Sequence, residues 1–383
     1  MNRTFDSLKF PNYRLWFVGG LVSNAGTWMQ RIAQTWLVLA YLSDDSGTAV
    51  GIVIGLQFAP VLLLTPYAGL LADRLDRRRF MQATSLLLAL ISAGLGALVL
   101  AGTATLWQVY AFALLLGIIS ALESPNRMTL VSELVPPESL SNAVGLNATS
   151  FNTARLVGPA VAGGLIAMVG PGWVFLLTGL TFLVPVLTLG IMKAEHMYPV
   201  PLVPRGKGQV KDGITYVRSR PDILVIMAVM AVVGALGLNF QLTTSVMSRQ
   251  VFGLGSGEFG IVNTLMGVGA LAGALMAARR QRPRLRTAVG GAMLFGIFTF
   301  LSGLAPTFWL YVLLNIPVGY FSTTMMNTAN AYIQLATSPM FRGRVMSLYL
   351  IVFLGSTPIA SPFIGWVAEA LGPRWAVLIG GGA

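Results

Sequence analysis

Long apolar runs separated by short polar segments make up most of the chain. An α-helix needs about 20 mainly apolar residues to cross the hydrocarbon core of a bilayer. The runs therefore predict eleven membrane-spanning helices and the start of a twelfth, at 14–41, 48–72, 80–102, 106–128, 140–169, 172–192, 222–248, 257–278, 287–305, 307–332, 342–371 and from 374. The sequence ends at Ala383, about ten residues into the last run, so we expect the twelfth helix to be incomplete in this chain.

The composition excludes a soluble protein. Hydrophobic residues make up 55% of the chain and charged residues only 10%, against about 25% charged residues in ordinary soluble domains. A soluble protein of this composition could not cover its surface with polar groups. We therefore predict an all-α integral membrane protein.

The rarity of reactive side chains excludes most enzyme classes. The chain has no cysteine and a single histidine, His196, which lies in a polar stretch, so disulfides, thiolate sites and histidine clusters are excluded. Paired carboxylates or a nucleophile with its base are also lacking at membrane depth. We expect no enzymatic activity, no cofactor and no metal.

The basic residues predict the topology. The net charge is +12, and in a membrane protein basic loops stay on the cytoplasmic side. With the N-terminus inside, 21 of the 25 basic residues fall on the inner side; the exceptions are Arg249 and Arg374, which lie outside, and Arg31 and Arg155, which lie within spans. This distribution predicts a multi-pass protein of the plasma (inner) membrane with a cytoplasmic N-terminus. It also explains the positive charge without nucleic acid as a partner.

One long polar connection divides the chain into two halves. We predict an N-terminal six-helix bundle at 1–192, a cytoplasmic linker at 193–221 and a C-terminal bundle at 222–383 whose last helix is incomplete. Gly158-Pro159 recurs as Ser361-Pro362 at a similar place in the second half. The halves therefore look like parallel repeats, as in one large class of transporters.

The most specific motif joins predicted spans two and three. It reads Gly69-Leu70-Leu71-Ala72-Asp73-Arg74-Leu75-Asp76-Arg77-Arg78-Arg79. It resembles the signature loop of the major facilitator superfamily, G-x-L-a-D-R-x-G-R-[KR], with Asp76 where glycine is usual. Glycine permits close helix approach, the aspartate can accept hydrogen bonds from a helix N-terminus, and the arginines can bind carboxylates or lipid phosphates.

A second motif lies in predicted span five, where Gly158 and Pro159 are followed by Gly163 and Gly164. It resembles the antiporter signature G-P-x-x-G-G, although Ala162 replaces the first of the paired glycines. Small residues let membrane helices pack closely, and proline frees a carbonyl and can bend the helix. We expect Gly158, Pro159 and Gly163 to form a helix bend.

Two further stretches resemble one branch of the superfamily, the enterobactin-exporter-like and macrolide-efflux-like drug exporters. They are 12–30 and 123–136, which contain Asn12-Tyr13-Arg14-Leu15-Trp16, Gly26-Thr27-Trp28-Met29-Gln30 and Glu123-Ser124-Pro125-Asn126-Arg127. The resemblance implies two six-helix bundles around a central cavity and alternating access driven by proton antiport. It also implies drug-like or siderophore-like amphiphilic substrates, without naming one. The expected partners are a small-molecule substrate, protons and membrane lipid, and we expect a monomer.

Polar residues form stripes within the predicted spans. Asn24, Trp28, Arg31 and Thr35 share one face of span one, and a second stripe in span five ends at Arg155. Ionisable groups at membrane depth are usually functional, so the stripes indicate faces that line a water-filled cavity. Interhelical hydrogen bonding inside a packed bundle is the alternative. The candidate substrate-binding residues are Arg31, Gln34, Asn152, Arg155, Asn239, Gln241 and Asn327.

The charges in the spans predict the charge of the substrate. Arg31 and Arg155 lie toward the middle and outer leaflet, where the sequence places no acid. Burying a guanidinium group without compensation costs several kcal/mol, so an anionic or electron-rich substrate is predicted. Alternatively, Arg155 binds carbonyls near the Gly158-Pro159 bend and only shapes the helix.

The remaining candidates concern gating and coupling. Glu123 is the only acid clearly inside a span, which makes it the default proton carrier, although its position at the inner end of span four favours a gating role and leaves Asp73 or a substrate group as the alternative carrier. We expect it to approach Arg74, Arg77 or Arg78, because a lone acid at the inner face requires a cation, and we expect Asp73 to lie near 342–346. The gating and coupling set is Gly69, Asp73, Arg74, Arg77, Arg78 and Glu123.

Two other functions remain open. Uniport or uptake of a small solute is compatible with the sequence, because the coupling ion and direction are not encoded in any motif. A non-transporting membrane receptor or sensor on the same fold is a more remote alternative, since the chain shows no soluble signalling domain.

Overall fold

The computed structural model describes residues 3–72, 76–198, 209–279, 284–338 and 341–383. Its regular structure within these ranges is helical, which confirms the predicted fold class. The α-helices are α1 Pro11–Leu37, α2 Gly47–Ala72, α3 Arg77–Leu100, α4 Leu106–Glu133, α5 Leu140–Val169, α6 Pro171–Gly190, α7 Gln209–Arg218, α8 Pro221–Val232, α9 Phe240–Val246, α10 Ser256–Arg279, α11 Leu285–Gly303, α12 Phe308–Ala336, α13 Arg342–Ala370 and α14 Pro373–Gly382.

The helices follow the predicted spans, with differences in their hydropathy. Nine helical segments among the described residues are long and apolar enough to cross a membrane. The helices α1 and α12 are long enough, with 27 and 29 residues, but they are not among these nine segments because they are less apolar. Both carry buried polar side chains, such as Gln30 and Gln34 in α1 and Thr328 in α12. Their polar faces therefore point into protein.

Predicted span seven is interrupted. A π-helical turn at Val233–Gly237 separates α8 from α9, and a second π-helical turn follows at Met247–Val251. A Cβ atom on Gly237 would lie 2.7 Å from the ring of Phe295, so glycine permits a close helix approach here. The Asn239 side chain donates to the carbonyl of Ala235 (2.6 Å) and accepts from the Ser361 hydroxyl (2.6 Å). These side-chain bonds compensate for the irregular backbone.

The chain forms two compact units. Unit 1 comprises Met1–Leu37 and Ala59–Val203, and unit 2 comprises Val38–Phe58 and Pro204–Ala383. In unit 1, α1 packs on α5 and α6, and α3 packs on α6. One of its cores contains Tyr13, whose hydroxyl donates to the Ala143 carbonyl (2.7 Å). Contacts of α1 with α5 and α6, and of α3 with α6, thus hold unit 1 together.

Unit 2 depends on glycines between its longest helices. The helix α12 packs on α10 and α11, and α14 packs on α11. A Cβ atom on Gly269 of α10 would collide with the Ile316 carbonyl, and one on Gly319 of α12 would collide with the Met266 carbonyl. Only glycine fits where two helix backbones approach this closely.

Residues 38–58 belong to unit 2, although they lie in the first half of the sequence. A Cβ atom on Gly47 would lie 2.8 Å from the Gly365 carbonyl, so α2 begins in close contact with α13. Glu369 of α13 accepts hydrogen bonds from the Ser46 hydroxyl (2.7 Å) and the Thr48 amide (3.2 Å). The negative carboxylate therefore caps the positive N-terminus of α2.

The described end of the predicted linker is also folded. The helix α7 packs on α13, and Tyr216 stacks on Phe341 with ring centroids 4.7 Å apart. Arg220, which follows α7, forms a bidentate pair with Asp222 (2.9 and 2.8 Å) and donates to the Ala336 carbonyl (3.0 Å). This part of the predicted linker is thus bound to unit 2, whereas 199–208 lie outside the described residues.

We predict that Gly269→Ala lowers the unfolding free energy by about 1–3 kcal/mol, the usual size of an overpacking effect. Thermal unfolding of the purified protein measures this loss. Gly290→Ala in α11 is the control, because its Cβ atom would meet nothing within 4 Å. Alanine is the better helix former by about 1 kcal/mol, so equal or raised stability in Gly269→Ala would contradict the predicted collision.

Candidate functional site

The predicted polar stripes of α1 and α5 face each other within unit 1. Asn24 of α1 donates to the Ser150 hydroxyl of α5 (3.3 Å). The rings of Trp28 and Phe151 meet edge to face, with centroids 5.9 Å apart. The stripes therefore form part of a helix interface, as the interhelical alternative predicted.

Two arginines converge on Trp28 in this interface. The guanidinium carbon of Arg31 lies 5.5 Å from the Trp28 ring, and that of Arg155 lies 5.8 Å from the same ring. Both side chains are half-buried. The ring contact of Arg155 is a cation–π interaction, and no described carboxylate lies within ion-pair distance of this arginine.

Gly158 allows α1 and α5 to approach at this point. A Cβ atom on Gly158 would lie 2.6 Å from the Trp28 Cβ atom and 3.2 Å from the Ala25 carbonyl. Pro159 and Gly163 are buried in the same helix, which continues from Leu140 to Val169. Gly158 thus has a direct role in helix packing beside Trp28, and the bend expected from Gly158, Pro159 and Gly163 stays a prediction.

Glu123 is the centre of a buried hydrogen-bond network. Its carboxylate accepts from the hydroxyls of Thr84 (3.0 Å) and Ser85 (3.4 Å) and pairs with Arg127 one turn later in α4 (3.4 Å). Arg127 also donates to the side-chain oxygen of Asn24 (3.3 Å). The Glu123 side chain is only 8% exposed. The network joins α1, α3 and α4.

The predicted pairing of Glu123 with Arg77 or Arg78 is wrong. Arg77 forms its ion pair with Glu133 at the end of α4, and Arg78 donates to the Gly190 carbonyl (2.6 Å). Arg127 satisfies Glu123 instead, because residues four apart share one helix face. Gly69 falls within α2, and Asp73 and Arg74 lie outside the described residues. The predicted position of Asp73 thus stays a prediction.

The Arg77–Glu133 pair is well shielded from solvent. The two side chains are 14% and 12% exposed. Burial raises the pKa of the Glu133 carboxyl, and the charge and hydrogen bond of Arg77 oppose the rise. Glu133 lies ten residues beyond the apolar segment Leu106–Glu123, so this pair joins the ends of α3 and α4 beyond that segment.

The other predicted binding residues of unit 1, Gln34 and Asn152, donate hydrogen bonds to backbone carbonyls. Gln34 is fully buried and donates to the Val109 carbonyl of α4 (3.2 Å). Asn152 donates to the Ala148 carbonyl one turn earlier in α5 (2.9 Å). The structure therefore brings Arg31 and Arg155 to the same Trp28 ring and places Gln34 in a contact between α1 and α4.

The predicted binding residues of unit 2 occupy three different settings. Asn239 is buried and bonded on both sides of its amide. Gln241 is half-buried, and its amide nitrogen has no hydrogen-bond partner among the described residues. Asn327 is exposed and lines a cavity of about 440 Å³ together with Asn330 and Tyr349.

Three contacts of this region were not predicted from the sequence: the pairing of Arg127 with Glu123, the contact of both arginines with Trp28, and the pairing of Glu133 with Arg77. The spacing of Glu123 and Arg127 by four residues was a readable signal for their pair. Trp28 lay in the polar stripe, but nothing in the sequence showed that both arginines would touch it. Glu133 had no sequence signal linking it to Arg77. Within the described ranges, no cluster of three histidine or carboxylate side chains could hold a metal ion.

Comparisons with known proteins identify the family that this fold and these residues resemble. Residues 3–383 match the family described as transmembrane secretion effector. The Staphyloferrin A transporter of Staphylococcus aureus (strain NCTC 8325 / PS 47) is 26% identical over 357 residues, covering 91% of this chain and 87% of that protein. Macrolide efflux protein A of Streptococcus pyogenes is 21% identical over 385 aligned positions, covering 98% and 94% of the two chains.

A solved structure supports the fold. A bacterial homologue of the human lysosomal transporter Spinster, in its inward-facing and unoccupied conformation, superposes with a TM-score of 0.74. The match covers 94% of this chain and 83% of that chain at 15% sequence identity. This likeness shows a shared fold.

We predict that Glu133→Gln destabilises the protein by about 3–5 kcal/mol, because it leaves the buried guanidinium of Arg77 without its carboxylate. Thermal unfolding of the purified full chain checks this value. Asp6→Asn is the control, because the Lys9–Asp6 pair has side chains that are 57% and 44% exposed and exposed pairs contribute little. Equal melting temperatures for the two variants would show that the Arg77 pair is not essential.

Proposed function

The chain belongs to the transmembrane secretion effector family of major facilitator transporters, and from this premise we propose that it exports small amphiphilic compounds by alternating access in exchange for protons. The macrolide efflux relative supports export, and the Staphyloferrin A transporter supports a polar small-molecule substrate. The family and these relatives are transporters, not enzymes.

The orientation and surroundings form part of the proposal. We place the protein in the plasma (inner) membrane as a monomer in contact with lipid, with its N-terminus and basic loops in the cytoplasm. The clustering of basic residues at one set of helix ends supports this orientation, because basic loops resist translocation. The large apolar side chains exposed on the helices, such as Leu90, Leu187 and Met293, support contact with lipid.

The surroundings of Arg155 support a negative charge on the proposed substrate. Arg155 is half-buried, and its guanidinium group contacts the ring of Trp28, which Arg31 also contacts. An aromatic ring attracts a cation but does not neutralise it. A carboxylate, sulfonate or phosphate group of a substrate would compensate the charge with two parallel hydrogen bonds. We therefore propose an amphiphile with an anionic group, bound by Arg31, Arg155 and Asn152.

The proposed proton site is Glu123. Its carboxylate is buried and depends on Arg127, Thr84 and Ser85 for stabilisation. Protonation would remove the charge that holds Arg127, and Arg127 also binds Asn24 of α1. Proton binding at Glu123 would thereby change a contact between α4 and α1. This chain of contacts supports Glu123 as the coupling residue.

Our first functional prediction is that Arg155→Gln abolishes transport of anions and leaves neutral compounds unaffected. The probes are naphthalene-2-sulfonate and its uncharged analogue naphthalene-2-sulfonamide, measured as uptake into proteoliposomes that contain the full-length protein. Losing the guanidinium removes the charge that compensates the sulfonate, while the naphthalene ring still binds.

Arg79→Gln is the matched control, because the Arg79 side chain is 86% exposed. It should transport both probes as the unchanged protein does. If Arg155→Gln transports the sulfonate at the normal rate, the positive site lies elsewhere and the proposed substrate charge is wrong.

Our second functional prediction is that Glu123→Gln uncouples transport from the proton gradient. Accumulation of naphthalene-2-sulfonate driven by an imposed pH difference should fall to the level of empty vesicles, because glutamine binds no proton. Exchange of labelled for unlabelled sulfonate at equal pH should continue, since exchange requires no net proton movement. Glu138→Gln, at an exposed position, is the control. Normal gradient-driven accumulation in Glu123→Gln would assign the proton to another group.

A further inference from the structure

Trp28 has no role in the transport proposed above, although both arginines of that site touch it. The Trp28 ring lies 5.5 Å from the guanidinium carbon of Arg31 and 5.8 Å from that of Arg155. Arg31 follows Trp28 by one helical turn in α1, whereas Arg155 comes from α5. A single side chain therefore links the cations of two helices.

The position of Trp28 is fixed by its neighbours. Gly158 faces its Cβ atom so closely that an added methyl group would lie 2.6 Å away. Phe151 contacts the indole ring at an interplanar angle of 64°. The backbone of α5 at Gly158 thus packs against the Trp28 Cβ atom, and the Phe151 ring packs against the indole.

Packing alone does not explain a tryptophan at this position. The indole nitrogen is buried and has no hydrogen-bond acceptor among the described residues. A buried donor without an acceptor is destabilising, whereas phenylalanine or leucine would fill the interface without leaving one. The remaining property that distinguishes tryptophan is its π surface, which attracts cations more strongly than that of phenylalanine or tyrosine.

The π surface of Trp28 offsets the electrostatic repulsion between the guanidinium groups of Arg31 and Arg155. Two guanidinium groups in a medium of low polarity repel each other more strongly than they do in water. Each gains a favourable interaction with the negative face of the same indole. The ring therefore attracts both guanidinium groups to one part of the interface between α1 and α5.

We propose that Trp28 is a positioning residue that sets the preference of the transporter for anionic substrates, by holding Arg31 and Arg155 together as one positive site. The ligand class is a carboxylate, sulfonate or phosphate group on an amphiphilic body. This inference rests on the proposed function, because it needs Arg155 to meet the substrate.

The test compares Trp28→Leu and Trp28→Phe in the purified full chain. Binding of tritiated naphthalene-2-sulfonate is measured in lipid nanodiscs, and naphthalene-2-sulfonamide is measured by competition. Trp28→Leu should weaken sulfonate binding about tenfold, as expected for the loss of two cation–π contacts. Trp28→Phe keeps a weaker ring and should lose about threefold. Sulfonamide binding should stay within about twofold, because no charge is involved.

A second series keeps the shape of the side chain. Tryptophans that carry one, two and three fluorine atoms are incorporated at position 28 by stop-codon suppression. Fluorine withdraws π density, so the affinity for the sulfonate should fall stepwise while that for the sulfonamide stays constant. This series gives a result even where Trp28→Leu does not fold.

The outcomes separate two kinds of failure. Equal weakening of both ligands in Trp28→Leu, or a sulfonate affinity that does not change with fluorination, would show that Trp28 only fills space and would overturn the inference. Arg155→Gln is measured beside these variants. If it keeps its preference for the sulfonate, the proposed anionic site itself is wrong, whatever the Trp28 series shows.

Discussion

A charge at membrane depth must be compensated, and unit 1 is organised around that requirement. Desolvation of an ion costs several kcal/mol even after the surrounding protein relaxes. Glu123 meets this cost with Arg127 and two hydroxyls. Arg155 meets it in part with the ring of Trp28. The contrast between a compensated acid and a partly compensated cation distinguishes the proposed coupling residue from the proposed substrate site.

Helix contacts make these arrangements possible, because side chains can share a ring or a carboxylate only where their helices are close. Gly158 brings α5 against Trp28, and Asn24 then reaches both Ser150 and Arg127. The same device recurs in unit 2, where Gly269 and Gly319 join α10 and α12. In both units, glycine sets the distance between helices and polar groups occupy the interface that results.

The sequence predicted the helices well, because the length of an apolar run and the bilayer thickness determine them together. It also predicted that Arg31 and Arg155 lie within helices, as they do in α1 and α5. It failed for partners between helices: of the predicted partners of Glu123, Arg77 and Arg78 bind other groups and Arg74 lies outside the described residues, whereas Arg127 pairs with Glu123. Which side chains meet depends on helix rotation, which hydropathy leaves undetermined. The break between α8 and α9 was missed for a similar reason, since its residues are as apolar as their neighbours.

The start of α2 has a consequence for the order of synthesis. Its Ser46 cap and its acceptor Glu369 are separated by 323 residues. At translation rates of roughly 5–20 residues per second, the ribosome completes that stretch in roughly a quarter of a minute to a minute. During this interval Gly47 and Gly51, whose Cβ positions lie against the carbonyls of Gly365 and Ser361 in α13, are in the nascent chain without that helix. The assembling protein must therefore rely on lipid, or on the insertion machinery, to shelter this surface until α13 is made.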